Sequence, residues 1–370
     1  MVHLMDLDFQ RATRDDLHDW RQKPYGVNAC GPPFLLNPAS IKRRVGTMAS
    51  QALTCNGHPV DAQASYFGEL QASNDLLRDP IALKRRAEEN GYLFIRRLIP
   101  PSTVLEARRE ILLKYATVGE IDNTRHDVMD GVLRGSSYIT QINLDAFVTS
   151  LRTGACYERV VLHPNLLALY ADLMGGPVVP FDFRWPRMMR TGEGCGIHAD
   201  IPYIGRGTRR VWTSWIPLGD VPLENGPLII LENSHRHAAL DGYFATDAAK
   251  QRLGWLERDP VALQARLGGR WLSTHFEPGD VLCFSGHMVH GALDNNHPGG
   301  RCRLSSDTRY QLRDDQRDER WFGSVANPYG GDYERGKRVF YPGLISCADG
   351  NTELKEEWKP VDEDGRLLLN

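Results

Sequence analysis

His198 and Asp200 stand two residues apart in GEGCGIHADIPYIGRG, residues 192–207, among glycines and apolar residues where neither is an obvious fold-builder. In an extended segment side chains repeat every second residue, so both would point to the same face. An imidazole and a carboxylate on one face are two thirds of a 2-His-1-carboxylate set, the donor arrangement that leaves positions open on iron(II). The third ligand must come from a distant strand of the same barrel. Candidates are His235 and His237 in ENSHRHAAL, His275, and the pair His287 and His290 in GDVLCFSGHMVHGALDNN. The last two are an odd number apart, so in a strand they face opposite ways and only one can serve. Gly291 lets the backbone approach the centre closely, which favours His290.

Downstream, RCRLSSDTRYQ puts Arg301, Arg303 and Ser305 on one face of a strand. A guanidinium grips a planar carboxylate with two parallel hydrogen bonds, and a neighbouring hydroxyl supplies another. The pattern fits an acidic cosubstrate.

These residues need elements to hold them. Residues 1–75 are rich in turn chemistry, as in KPYGVNACGPPFLLNPAS, and read as an irregular N-terminal extension. From residue 76 the pattern sharpens into a short helix stopped at Gly91, a strand over 92–97, and a helix whose head carries a capping-box spelling, Thr103-x-x-Glu106. In HPNLLALYADLMGG, the residues Leu166, Leu169, Tyr170 and Leu173 follow the helical period. After Gly175 come short β-like runs between turn dipeptides: VVPFDFRW, RRVWTSWIPL, GPLIILE, DVLCFSG and RLSSDTRYQ. Helices followed by punctuated strands predict an α+β chain whose strands form a sandwich or barrel over residues 76–325. Residues 326–370 then read as a C-terminal tail packed on that domain.

At 370 residues and 41% hydrophobic content the chain has enough apolar material for a sizeable core. A net charge of −3 gives no electrostatic support for a nucleic-acid partner. No window approaches the run of about 18–20 apolar residues that spans a membrane, and the N-terminus has no apolar signal region. The seven cysteines are scattered with no C-x-x-C pair, which reads as reduced thiols in a cytoplasmic protein. Nothing in the sequence marks an oligomeric state.

His198-x-Asp200, a second histidine some 90 residues later and an arginine soon after resemble the iron(II)/2-oxoglutarate-dependent oxygenases. Within them, WIPLGDVPLENGPLIILENSH and PGDVLCFSGHMVHGALDN are similar to the phytanoyl-CoA dioxygenase family, and the similarity spans roughly residues 80–325. The resemblance implies a double-stranded β-helix, a cupin-like jelly-roll barrel with flanking helices, with iron on His198, Asp200 and His290. It implies 2-oxoglutarate lying against Trp215 with its far carboxylate on an arginine. That arginine usually sits eleven residues past the distal histidine, which here is Arg301; aligning on the following RLS moves the role to Arg303. Arg303 with Ser305 is the preferred assignment and Arg301 the alternative.

The implied activity is that of a dioxygenase consuming O2 and 2-oxoglutarate, hydroxylating a small molecule and releasing succinate and CO2. Asp200 bears on the outcome, because halogenating members carry a small residue where this chain keeps the acid. For the substrate, Tyr203 and Arg206 in IPYIGRGTRR are candidate contacts on a glycine-rich loop over the site. Against these stand plainer readings: His235 and His237 as turn residues, His287 as structural, Trp212 and Trp215 as core aromatics, Arg301 as the partner of Asp294 or Asp307. The competing functions are a cupin-like metalloenzyme that does not use 2-oxoglutarate and a catalytically silent binding protein of the same fold.

Overall fold

The computed structural model describes residues 53–135, 144–248 and 255–323. Thirteen short strands appear among them: β1 Thr54–Cys55, β2 His58–Pro59, β3 Phe67–Glu69, β4 Tyr92–Ile95, β5 Val178–Pro180, β6 Trp185–Met189, β7 Cys195–His198, β8 Trp212–Pro217, β9 Leu228–Leu231, β10 Trp271–Ser273, β11 Val281–Ser285, β12 His290–Ala292 and β13 Arg303–Leu312. Apart from the β1–β2 hairpin they make two sheets. One has the order β3-β10-β9-β12-β7; the other has the order β4-β11-β8-β13-β5, with β6 also paired to β13.

From β7 onward the chain alternates between the sheets, with only β9 and β10 adjacent in sequence and in the same sheet. This winding is that of a double-stranded β-helix, the fold the resemblance implied. The side chains show why it is stable. On β4, Tyr92 and Phe94 face inward while Leu93 and Ile95 face the helices; on β11, Leu282 and Phe284 alternate in the same way with Val281 and Cys283. The inward set meets Leu228 and Ile230 of the facing sheet, together with Trp215 and Phe276. The outward set is covered by helices Pro80–Asn90, Pro101–Thr117, Ala155–Val161 and Pro164–Met174. A third cluster, containing Ile197, Ile229, Leu231 and Trp271, covers the other face of the five-stranded sheet.

The helix expected to stop at Gly91 does so: it is capped by Asp79, starts on Pro80 and ends on Gly91 at φ 73°. The Pro164–Met174 helix buries Leu166, Leu169, Tyr170 and Leu173 as the period required. The capping box at Thr103 does not form. Pro101 has its φ already fixed for a first helical position, so the helix begins there, with no side-chain cap, and Thr103 lies inside the first turn.

The expected boundary near residue 75 is also corrected. β3 pairs in parallel with β10, Phe67 opposite Trp271, so residues before 75 complete the five-stranded sheet. The β1–β2 hairpin is tied to the barrel by Asp294, whose two carboxylate oxygens each accept a backbone N–H, from Asn56 and Gly57, at 2.9 Å. The rest of the expected N-terminal extension, residues 1–52, and the tail from 324 lie outside the described residues. Among the described residues no helix is long and apolar enough to cross a membrane.

Candidate metal centre

β7 and β12 run antiparallel, and their register places His198 directly opposite His290. Partners across an antiparallel pair present their side chains on the same face, and here the two ring centroids are 4.3 Å apart. Asp200 arrives differently. The strand ends at His198, and Asp200 has helical dihedrals, φ −70° and ψ −34°, at the head of the turn Ile201–Ile204. Strand alternation therefore does not deliver the carboxylate. The turn brings it back, with Oδ1 3.9 Å from His198 Nε2. One donor atom from each of His198, Asp200 and His290 lies within 4.8 Å of the others, and all three residues are buried.

Each imidazole is fixed by a backbone carbonyl. His198 Nδ1 lies 2.8 Å from Gly196 O, and His290 Nδ1 lies 3.0 Å from Met288 O. A carbonyl can only accept, so Nδ1 carries the proton and Nε2 keeps its lone pair. Burial, reinforced by the neighbouring His290, pushes the His198 pKa down to about 3; burial likewise lowers that of His290. Burial alone would raise the pKa of Asp200, but the Arg309 guanidinium, the nearby histidines and the hydrogen bonds from Arg309 hold it well below the usual carboxylate range. Two neutral imidazole nitrogens and one ionised carboxylate are a donor set that fits iron(II), so the residues present suit the implied metal.

β13 forms the adjoining wall. Its alternation sends Arg303, Asp307 and Arg309 into a cavity also lined by His198, His290 and Trp215. Arg303 is 2% exposed; its Nη1 donates to Ser305 Oγ at 2.6 Å, and its Nε is buried without a partner. Its Cζ stands 5.7 Å from the centre of a Trp215 ring. Burial lowers the Arg303 pKa to about 10, which leaves a charged donor at neutral pH. An orphaned guanidinium N–H in a buried cavity is what an anionic cosubstrate would satisfy. Arg301 does not share this wall. It precedes β13, is half exposed, and pairs at 3.2 Å with Asp130 on the outside of the barrel, not with Asp294 or Asp307.

Of the two candidate substrate contacts, neither lines the cavity, but Tyr203 packs its ring edge-on against His198 with centroids 5.8 Å apart. Arg206 does not line the cavity; it forms a two-pronged ion pair with Asp247, at 2.6 and 3.0 Å. The other charges of that segment are also engaged, Arg209 with Phe244 O and Arg210 with Asp315. Three other candidate histidines have partners elsewhere. His287 packs edge-on against Phe244, His235 bonds Glu88 O, and His237 accepts from Ala239 N.

Sequence reasoning missed several neighbours. Arg309 and Thr213 both hydrogen-bond Asp200, and Arg187 pairs with Asp307 in the cavity wall. Trp255 lies over His198, ring centroids 5.3 Å apart, where Gly196 leaves no side chain in its way. The period-two pattern of β13 already contained Asp307 and Arg309; what it lacked was the register with β8.

Comparison with known proteins gives concordant likenesses. The family model described as phytanoyl-CoA dioxygenase matches residues 87–302. A 1-deoxypentalenic acid 11-beta-hydroxylase from Streptomyces exfoliatus is 26% identical over 249 residues, 64% of this chain and 82% of the relative. The enzyme of that name from Streptomyces arenae is 25% identical over 255 residues, 66% of this chain and 86% of the relative. Among solved structures, the non-heme alpha ketoglutarate dependent epimerase SnoN from nogalamycin biosynthesis aligns with TM-score 0.46 and 19% identity, over 68% of this chain and 93% of that one.

Proposed function

The chain belongs to the phytanoyl-CoA dioxygenase family of iron(II)/2-oxoglutarate-dependent oxygenases, and on that premise we propose that His198, Asp200 and His290 hold iron(II) while Arg303, Ser305 and Trp215 receive 2-oxoglutarate. The observation that carries this reading is the convergence of two tautomer-fixed imidazoles and one ionised carboxylate beside a buried guanidinium with an unpaired N–H. The reaction is hydroxylation of a carbon in a small molecule, supported by the hydroxylase names of the two Streptomyces relatives and by the acid kept at position 200.

Held by His198, Asp200 and His290, iron(II) would supply, together with 2-oxoglutarate and O2, the oxidative chemistry that yields succinate and CO2. The chain's own residues do the rest. Gly196 O and Met288 O hold the imidazole rings in one orientation, so Nε2 of each is aimed at the centre. Phe284, whose ring centroid is 4.6 Å from that of His290, forms with Trp215 and Leu228 the apolar part of the cavity wall, beside the charged side chains of β13. Arg303 binds the far carboxylate of the cosubstrate, and Tyr203 packs edge-on against the His198 ring. The cysteines among the described residues, Cys55, Cys156, Cys195, Cys283 and Cys302, are all free thiols, which supports a cytoplasmic setting.

Succinate formation tests the reading. Protein supplied with iron(II), ascorbate, 2-oxoglutarate and air should release succinate, and Asp200→Ala should not; equal succinate from both would remove the site assignment.

A further inference from the structure

Arg309 is a buried cation in the cavity wall to which the site described above gives no role; its Nη1 has no partner, and its other nitrogens are turned to a metal-ligand candidate. Its guanidinium meets the Asp200 carboxylate along two edges: Nη2 donates to Oδ1 at 2.7 Å and Nε donates to Oδ2 at 3.1 Å. Thr213 Oγ1 donates to the same Oδ2 at 2.6 Å. Arg309 and Thr213 are register partners across β13 and β8, so the sheet itself sets both donors on one face. The Trp185 ring backs the guanidinium, 5.1 Å from Cζ to the ring centre.

The two oxygens are thereby made unequal. Oδ2 accepts from both Thr213 and Arg309, whereas Oδ1 accepts from Arg309 Nη2 alone and is the oxygen that approaches His198 Nε2. Asp200 sits past the end of its strand and makes no capping bond to the turn it heads, so these donors decide how its carboxylate is rotated.

We propose that Arg309, assisted by Thr213, is a positioning residue that limits Asp200 to one-oxygen ligation through Oδ1 and so keeps a coordination position open for 2-oxoglutarate. This rests on the metal reading above. Without the guanidinium the carboxylate is free to turn and offer both oxygens to the metal, which occupies a position the keto acid needs. A group that touches only the ligand still changes the chelate, because the rotation of the carboxylate sets how many sites remain.

The test compares wild type, Arg309→Met, Arg309→Lys and Thr213→Val under anaerobic conditions, titrating 2-oxoglutarate into iron(II)-loaded protein and reading the visible charge-transfer band of the chelate. Arg309→Met should raise the 2-oxoglutarate dissociation constant about 10–100-fold and weaken the band. Arg309→Lys, which keeps a charge and one donor, should recover part of the loss. Thr213→Val should move both readouts in the same direction by less, a result that a direct contact between Arg309 and the keto acid would not produce. Wild-type affinity and band in Arg309→Met, or a neutral Thr213→Val, overturns the proposal while the metal site stands. A wild type that binds no iron overturns the site and the proposal together. If Arg309→Met does not fold, Thr213→Val and Arg309→Lys decide the matter.

Discussion

His198 and His290 are direct partners across the β7–β12 ladder, and the carbonyl two residues before each one fixes its ring. The centre is thus built mainly by backbone register, with one side chain, Asp200, brought in by a turn. That division of labour predicts how variants fail.

Removing Asp200 has two costs of different kinds. Asp200→Ala deletes a proposed ligand and also strands the buried Arg309 guanidinium, and breaking one side of a buried pair costs about 3–5 kcal/mol. The variant should lose iron binding and melt well below wild type. His198→Ala leaves no buried charge unpaired and should lose iron with a smaller fall in melting temperature; equal falls would contradict the Asp200–Arg309 account.

Arg303→Ala should raise the 2-oxoglutarate requirement about 10–100-fold, the scale of losing hydrogen bonds to a charged group in a dry site. Arg301→Ala should leave it near wild type, since that side chain meets Asp130 on the surface. Steady-state kinetics in 2-oxoglutarate separates them, and the reverse ranking would move the cosubstrate site.

Gly196→Ala should disturb the centre through packing. A methyl group there would lie 2.1 Å from Trp255 Cδ2, so the indole must move off His198. The expected cost is about 1–3 kcal/mol of stability, read as a lowered melting temperature. An unchanged melting temperature would mean that Trp255 does not rest on Gly196.

Acid should destabilise the fold partly through His287. Burial, aided by Arg209, lowers its pKa to about 4 from an ordinary value near 6.5. The unfolded chain therefore binds this proton more readily, and the stability present above about pH 6.5 is lost as pH falls toward 4. His287→Gln should flatten the fall in melting temperature between pH 7 and pH 4.5. An identical slope in both proteins would show that His287 contributes nothing to it.

Part of this centre was legible in the sequence: an extended run ends at His198, while the strand begun by the Pro-Gly turn stops at Ser285 and His290 opens a separate strand of the other sheet. Asp200 was legible by type and spacing but for an incomplete reason, since it lies past the strand's end and reaches the centre through a turn. Arg309 and Thr213 were hidden because their meeting depends on the β13–β8 register, which no local pattern encodes. Phe67–Glu69 was hidden for a similar cause: a three-residue edge strand gains its pairing from β10, about 200 residues away in sequence. The pairing of Arg206 was hidden because its partner Asp247 lies 41 residues downstream.

The most direct measurement is made without oxygen. Iron(II) is added to metal-free protein, followed by 2-oxoglutarate, and the visible spectrum is recorded beside Asp200→Ala. A weak charge-transfer band in the wild type and none in the variant is the predicted result. Iron that binds the wild type without the band, or a band that survives in Asp200→Ala, would contradict the assignment of His198, Asp200 and His290 as the ligands of a 2-oxoglutarate-dependent oxygenase.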